Sequence, residues 1–238
     1  MRKFYRNIGN AFLFRATKIL VKVQLFIQLK LGFFQTYVPN AFIAEDETLS
    51  DERASFERLK AINEFLPNDF KPTTLDIGCN MGFFTFQMAK RGGFSIGIDY
   101  GRNEIMAAKG LASWYSVSNV VFTQMKVTPE NSLLLPKVDM VICLSIYHHW
   151  VRKLGEEESL RIMRGLAGSA GKYFVFDTGQ PNEKGVEWNQ CMNFIGSDIN
   201  NWATNYFKEL GFDNVYNLGD YKTSLSDVPR TLFIAVKD

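Results

Sequence analysis

The sequence is poor in the residues that build metal centres and disulfide frameworks. Among 238 residues there are two histidines, adjacent at 148 and 149, and three cysteines, Cys79, Cys143 and Cys191, widely spaced and odd in number. No C-x-x-C pair is present, which argues against a zinc ribbon or a disulfide scaffold and for a reducing compartment. Two neighbouring histidines leave little material for an imidazole-based metal site, and no metal is expected. Internal repeats and low-complexity tracts are also missing. With 46% hydrophobic and 14% aromatic residues, the composition excludes disorder and fibrous repeats. The length suits one large α/β domain with an extension.

Acid is absent from one end. Residues 1 to 44 hold seven basic side chains (Arg2, Lys3, Arg6, Arg15, Lys18, Lys22, Lys30) and no Asp or Glu, whereas the remainder has 20 basic against 25 acidic residues. The end is also apolar, but the longest uncharged run before Lys30 is Asn7 to Phe14, and the run from Leu31 to Ala44 is broken by Gly32, Gln35, Pro39 and Asn40. A spanning helix needs about 20 mostly apolar residues, so none is expected. Charges interspersed with apolar residues also do not make a secretory signal. Arg15, Lys18 and Lys22 recur at helical spacing and would share one face. Three readings of residues 1–40 stay open: helices packed on their own domain, a peripheral contact with a membrane surface, and an RNA-binding arm. An arginine-containing, acid-poor mitochondrial presequence is compatible as well. The expected location is cytoplasmic, with membrane-peripheral association as its variant.

Ser50 followed by Asp51 and Glu52 reads as a helix start, with an apolar stripe at Phe56, Leu59, Ile62 and Leu66 and a stop at Pro67. After Pro72 short apolar runs alternate with helical stretches. Strands are predicted at Thr74–Ile77, Ser95–Asp99, Val120–Thr123, Val138–Leu144 and Tyr173–Asp177, with helices near 83–91, 103–113 and 156–167. Alternation of this kind implies right-handed βαβ units and a mostly parallel sheet. A helix near Ile199–Leu210 precedes two further strands, Asn214–Leu218 and Thr231–Val236, with no helix between them, so these should be antiparallel. The expected fold class is α/β: a doubly wound, mostly parallel seven-stranded sheet with a C-terminal antiparallel hairpin. The division expected is a helical extension over residues 1–70 and one domain over 71–238.

From Thr74 to Gly82 a short apolar strand carrying Asp76 runs into Gly78-Cys79-Asn80-Met81-Gly82 and then a helix. Such a turn lets backbone approach a ligand at the carboxyl end of a parallel sheet. The second strand ends in Asp99, where a carboxylate can bind ribose hydroxyls. A dinucleotide turn G-x-G-x-x-G would want glycine at 80 and 83, where Asn80 and Phe83 stand. Asp76 would repel a pyrophosphate but suits a ligand bearing a sulfonium and an ammonium.

On these residues the chain resembles the class I S-adenosylmethionine (SAM) dependent methyltransferases: Leu75–Gly82 looks like their first motif and Gly97-Ile98-Asp99 their second. The likeness covers residues 72 to 238, the terminal strand pair included. It implies that Asp76 and the turn residues Gly78, Cys79, Asn80 and Gly82 hold the methionine part of SAM. It implies further that Asp99 binds the ribose, with Tyr100 beside it. Gln124 and Met125 would lie near the adenine, and Leu144 and Ser145 would face the transferable methyl group.

On the acceptor side, Cys143 to Trp150 ends the fourth strand at the crevice. His148 or His149 could deprotonate an acceptor hydroxyl, His148 slightly favoured. Tyr147, Trp150 and Asp177 are candidate substrate contacts. The following loop, with Gln180, Asn182, Glu183 and Trp188, is a candidate pocket wall. The Asn/Asp-Pro-Pro-Tyr/Phe signature of amine methylation is absent, as is a Pro-Cys pair for attack on pyrimidines. The leading expectation is O-methylation of a small-molecule, glycan or lipid-linked acceptor. Leu144-x-x-Tyr147-His148 resembles a stretch of the tRNA wobble-uridine carboxymethyltransferases, so an RNA-modifying enzyme is the alternative. A non-catalytic interaction protein of the same fold is the reading from outside the enzymes.

Overall fold

The computed structural model describes residues 53–223 and 226–238; the expectations for residues 1–52 lie outside them. The elements run α1 (Arg53–Phe65), β1 (Thr74–Ile77), α2 (Phe83–Lys90), β2 (Ser95–Asp99), α3 (Arg102–Trp114), β3 (Val120–Gln124), α4 (Pro129–Ser132), β4 (Val138–Cys143), α5 (Tyr147–Leu154), α6 (Glu156–Ser169), β5 (Ala170–Phe176), a 3-10 turn (Asn189–Ile195), α7 (Ile199–Glu209), β6 (Asn214–Tyr221) and β7 (Arg230–Val236). The sheet order is β3-β2-β1-β4-β5-β7-β6. Strands β1 to β5 are parallel, and β7 lies antiparallel to both β5 and β6. The chain reverses its winding between β1 and β4, which opens a crevice at their carboxyl ends.

Both faces of the sheet are covered, and the strands alternate between two cores. Val141 and Cys143 of β4 join Phe174 and Phe176 of β5 in one cluster with Tyr147, Ile162, Leu166 and Phe207. Met140 and Ile142 join Tyr173 and Val175 in the other, with Leu59, Ile62, Phe83 and Phe86. The period of two along a strand separates these sets. Burial on both sides explains why the parallel strands read as continuous apolar runs. Helix α1 belongs to the second core: Leu59 and Ile62 are buried, and Phe56 meets Phe83 edge-on at 4.9 Å.

Three elements stand apart from the sequence reading, the 3-10 turn at Asn189–Ile195 among them. Helix α5 occupies Tyr147–Leu154, where an open crevice strand-end is expected. Its apolar residues Tyr147, Trp150, Val151 and Leu154 do stand at helical spacing, but eight residues beginning with two histidines give a weak period. The one-turn α4 is set by its cap: Thr128 Oγ1 accepts from the Asn131 amide and Asn131 Oδ1 from the Thr128 amide.

Candidate active site

The glycine turn is fastened to the end of β2. The amides of Gly78 and Cys79 both donate to the Ile98 carbonyl, at 2.7 and 3.1 Å. Asp99 Oδ2 accepts from the Asn80 amide at 2.9 Å and Oδ1 from the Gly101 amide at 2.8 Å. Asp99 thus ties the turn to the start of α3 with two of its four lone-pair positions, and the others remain for a ligand's hydroxyls. Asn80 has φ 50°, the left-handed region that asparagine tolerates better than other side chains, and its Oδ1 accepts from the Met81 amide at 2.7 Å. This conformation explains how asparagine stands where a glycine would serve. Gly78 has φ +72°, and a Cβ there would overlap Ile146 Cδ1 and Cγ1, so glycine lets Ile146 pack against the turn.

Asp76 is buried beneath the turn and accepts from Thr85 Oγ1 at 2.6 Å. Burial pushes its carboxyl up to about 7, against the opposing pull of the Thr85 hydroxyl. A cationic ligand in the crevice would favour the ionised form.

Across the crevice, Ser145 closes a buried polar network. Its backbone is left-handed at φ 57°, and both its amide and hydroxyl donate to Asp177 Oδ1, at 2.6 and 3.0 Å. Its hydroxyl oxygen accepts from Arg230 Nη1 at 3.2 Å. Arg230 makes a two-pronged pair with Glu183, Nε to Oε1 and Nη2 to Oε2, each at 2.8 Å. Glu183 is completed by the Trp188 indole and the Gln180 amide, and the guanidinium lies 5.3 Å from the Trp188 ring centroid.

The two histidines have different roles available to them. His148 is 1% exposed, and its Nδ1 accepts from the Gly179 amide at 2.9 Å. An amide can only donate, so Nδ1 is the bare nitrogen and the ring proton sits on Nε2. Burial, followed by the charge of Arg230, holds His148 well below its ordinary pKa. His148 is therefore a fixed neutral ring that can donate from Nε2 but has no free lone pair. His149 is half-buried against Trp188. No hydrogen bond ties its ring among the described residues, and burial together with Arg230, Lys153 and Arg152 lowers its pKa. It stays neutral near pH 7 with a lone pair available. The geometry thus moves the candidate base from His148 to His149.

The crevice encloses about 280 Å³, close to the lower bound of small-ligand pockets. Asp76, Gly78, Cys79, Asn80, Asp99, Tyr100, Leu144, Ser145, His148 and His149 line it. Gly82 does not; at φ +85° it caps α2. Gln124 and Met125 also stand outside the lining: Gln124 is exposed and donates to the Tyr100 carbonyl at 3.3 Å, and the Met125 amide donates to the Asp99 carbonyl at 2.8 Å. Their expected place at the adenine is not seen in the crevice wall.

The three expected acceptor contacts Tyr147, Trp150 and Asp177 stand outside the crevice lining. Because α5 turns about 100° per residue, neighbours in the run from Tyr147 to Trp150 point in different directions. Tyr147 is fully buried among Phe176, Trp202 and Tyr206 in the core, and Trp150 packs against the same cluster. Asp177 is fully buried and serves Ser145. Of the loop expected to wall the pocket, Gln180, Glu183 and Trp188 are buried supports of Arg230, and Asn182 is exposed.

Sequence reasoning missed Arg58 and Arg230, which both line the crevice. Arg230 opens the last strand and Arg58 sits on α1, more than 150 residues away. No local pattern joins them. Among the described residues no group of three or more His, Cys, Asp or Glu side chains could hold a metal ion, and no helix is long and apolar enough to cross a membrane.

The donor end of the crevice fits SAM. Asp76, Asp99 and Glu104 line it, matching a sulfonium, an ammonium and ribose hydroxyls. Residues 69–179 match the family model described as a methyltransferase domain. The bifunctional O-antigen chain terminator methyltransferase/kinase WbdD of Escherichia coli is 25% identical over 171 residues, 67% of this chain and 21% of that protein. A crystal structure of WbdD superposes with a TM-score of 0.61 at 24% identity, covering 77% of this chain and 39% of that one. Magnesium protoporphyrin IX methyltransferase from Synechocystis PCC 6803, solved with bound SAM, superposes at 0.57 with 17% identity, covering 79% of each chain. The chain spans about a fifth of the curated relatives it matches. Residues 69–179 thus carry a methyltransferase domain, on a fold and with a donor-end lining that suit SAM.

Proposed function

We propose that the domain transfers the methyl group of SAM to an oxygen of a small-molecule, glycan or lipid-linked acceptor. The observation that carries this reading is the uncommitted ring of His149 on the same crevice wall as Leu144 and Ser145, beside the acid-lined donor end. SAM supplies an activated methyl group, so alignment of the two reactants provides much of the rate. Asp76, the turn from Gly78 and Asp99 hold the donor. Ser145, fixed by Asp177 and Arg230, shapes the wall between donor and acceptor. His149, neutral near pH 7, takes the acceptor's proton where one must leave. WbdD, named for terminating O-antigen chains, and the enzyme named for magnesium protoporphyrin IX support acceptors other than nucleic acid. A membrane-peripheral placement through residues 1–40 belongs to the same proposal, as an extension ahead of a domain that takes in α1.

The test is calorimetry with SAM and S-adenosylhomocysteine (SAH), followed by methyl transfer from labelled SAM to panels of hydroxylated, carboxylated and phosphorylated acceptors. Micromolar binding and transfer to an oxygen are expected. No binding of either nucleoside would sink the cofactor assignment. Transfer to RNA, with affinity falling steeply as salt rises, would replace the acceptor class. Vesicles with and without anionic lipid test the N-terminal segment.

A further inference from the structure

The crevice contains a buried cation that its surroundings do not satisfy. Arg58 projects from α1, with 9% of its side chain exposed. Its Nε and Nη2 are buried without a hydrogen-bond partner. Asp177 Oδ2 lies 3.4 Å from Nε and balances charge, but neither Oδ2 nor the guanidinium makes a hydrogen bond there. Arg230, on the same wall, is the contrast, since all three of its nitrogens donate to Glu183 or Ser145. A buried guanidinium with idle donors is costly unless an acceptor completes it.

The crevice lining carries charges of both signs. Asp76, Asp99 and Glu104 line it together with Arg58, Arg230 and Lys222. Asp177 stands against Arg58, and Glu183 against Arg230. His148, held with its proton on Nε2, adds a neutral donor to the same lining.

We infer that the acceptor carries an anionic oxygen group, a carboxylate or a phosphate, which docks on the Arg58 guanidinium within the SAM crevice. The inference rests on the methyltransferase reading. It makes Arg58 a binding and specificity-determining residue contributed by a helix that the sequence assigns to the N-terminal extension. Guanidinium geometry suits both anions, with two N–H groups presented in one plane.

The experiment uses the full chain, unloaded and loaded with SAH, at constant ionic strength in buffer free of phosphate and carboxylate. Inorganic phosphate and acetate are titrated separately while arginine ¹⁵Nε resonances are followed, with Arg58 assigned by its loss in Arg58→Lys. A saturable shift of the Arg58 resonance is expected with at least one anion, and the tighter anion identifies the group. Arg58→Met should weaken that anion by about tenfold or more, and SAH affinity should change by less than about twofold. If Arg58→Met does not fold, the wild-type resonance decides. An unmoved Arg58 resonance, or equal anion binding by wild type and Arg58→Met, overturns the inference. Anion binding without SAH binding overturns the cofactor reading and with it the acceptor role of Arg58. SAH binding without anion binding overturns the docking claim alone.

Discussion

The amide of Gly179 donates to Nδ1 of His148 at 2.9 Å, so a loop after β5 decides which nitrogen of a residue on α5 carries the proton. An asparagine at 148 can offer Oδ1 at nearly the place of Nδ1, whereas a glutamine offers its amide nearer the place of Nε2. His148→Asn should therefore melt close to wild type. His148→Gln should lose about 1–3 kcal/mol, because a buried amide is left without an acceptor. Thermal unfolding of the two variants is the check, and equal stability would mean that the Gly179 bond contributes little.

His149 makes a different prediction. His149→Ala should fold normally and lower turnover on an acceptor that must lose a proton by about 10²–10⁴-fold, with SAH affinity retained. On an acceptor that is already anionic the same variant should be nearly silent. A matching loss on both kinds of acceptor would point to shape and not to proton removal.

Asp76 gives the unliganded protein a pH dependence of known sign. Its folded pKa is raised from 3.8 to about 7, so its contribution to stability is fully present below the unfolded value and is lost as pH rises to about 7. The full effect is on the order of 4 kcal/mol. The histidines act oppositely: their folded pKa values are lowered from 6.5, and their contribution is lost as pH falls below that value. Asp76→Asn isolates the carboxylate. Denaturant titrations from pH 5 to 8 should show the variant gaining on wild type as pH rises, with weaker SAM binding at pH 8. A parallel pH profile for the two proteins would refute the burial effect.

Asp99 holds the amides of Asn80 and Gly101, so its loss acts on the ligand and the turn together. Asp99→Ala should weaken SAH by at least about tenfold, or 1.4 kcal/mol. Asp99→Asn should fall between, since an amide oxygen can replace only one of the two backbone contacts. Calorimetry on all three proteins orders them.

Glu183 and Arg230 form the most buried ion pair described, at 0% and 3% side-chain exposure. Removing one partner leaves the other charge uncompensated, and Arg230→Met or Glu183→Gln alone should destabilise by about 3–5 kcal/mol. The double variant should be less damaged than the sum of the two. Additive losses in urea unfolding would show that the pair is not coupled.

Much of the architecture was legible in the chain because the signals are local. The strand at Thr74–Ile77, the turn that follows and the carboxylate ending Ser95–Asp99 are contiguous patterns, and the structure places them where a parallel sheet reverses its winding. The absence of a helix between the last two strands likewise announced their antiparallel pairing. These features depend on periodicity, turn geometry and the chemistry of a few side chains, all of which survive in one dimension.

Tertiary structure alone decided the rest of the crevice lining. Helix α5 rotates Tyr147 into the core and leaves His148 and His149 at the crevice. Whether His148 is a base or a donor depends on an amide 31 residues away. The crevice also receives Arg58 from α1 and Arg230 from β7, and no spacing rule links residues so far apart. Local chemistry is written along the chain, whereas the state of a buried side chain depends on the partners that folding brings to it.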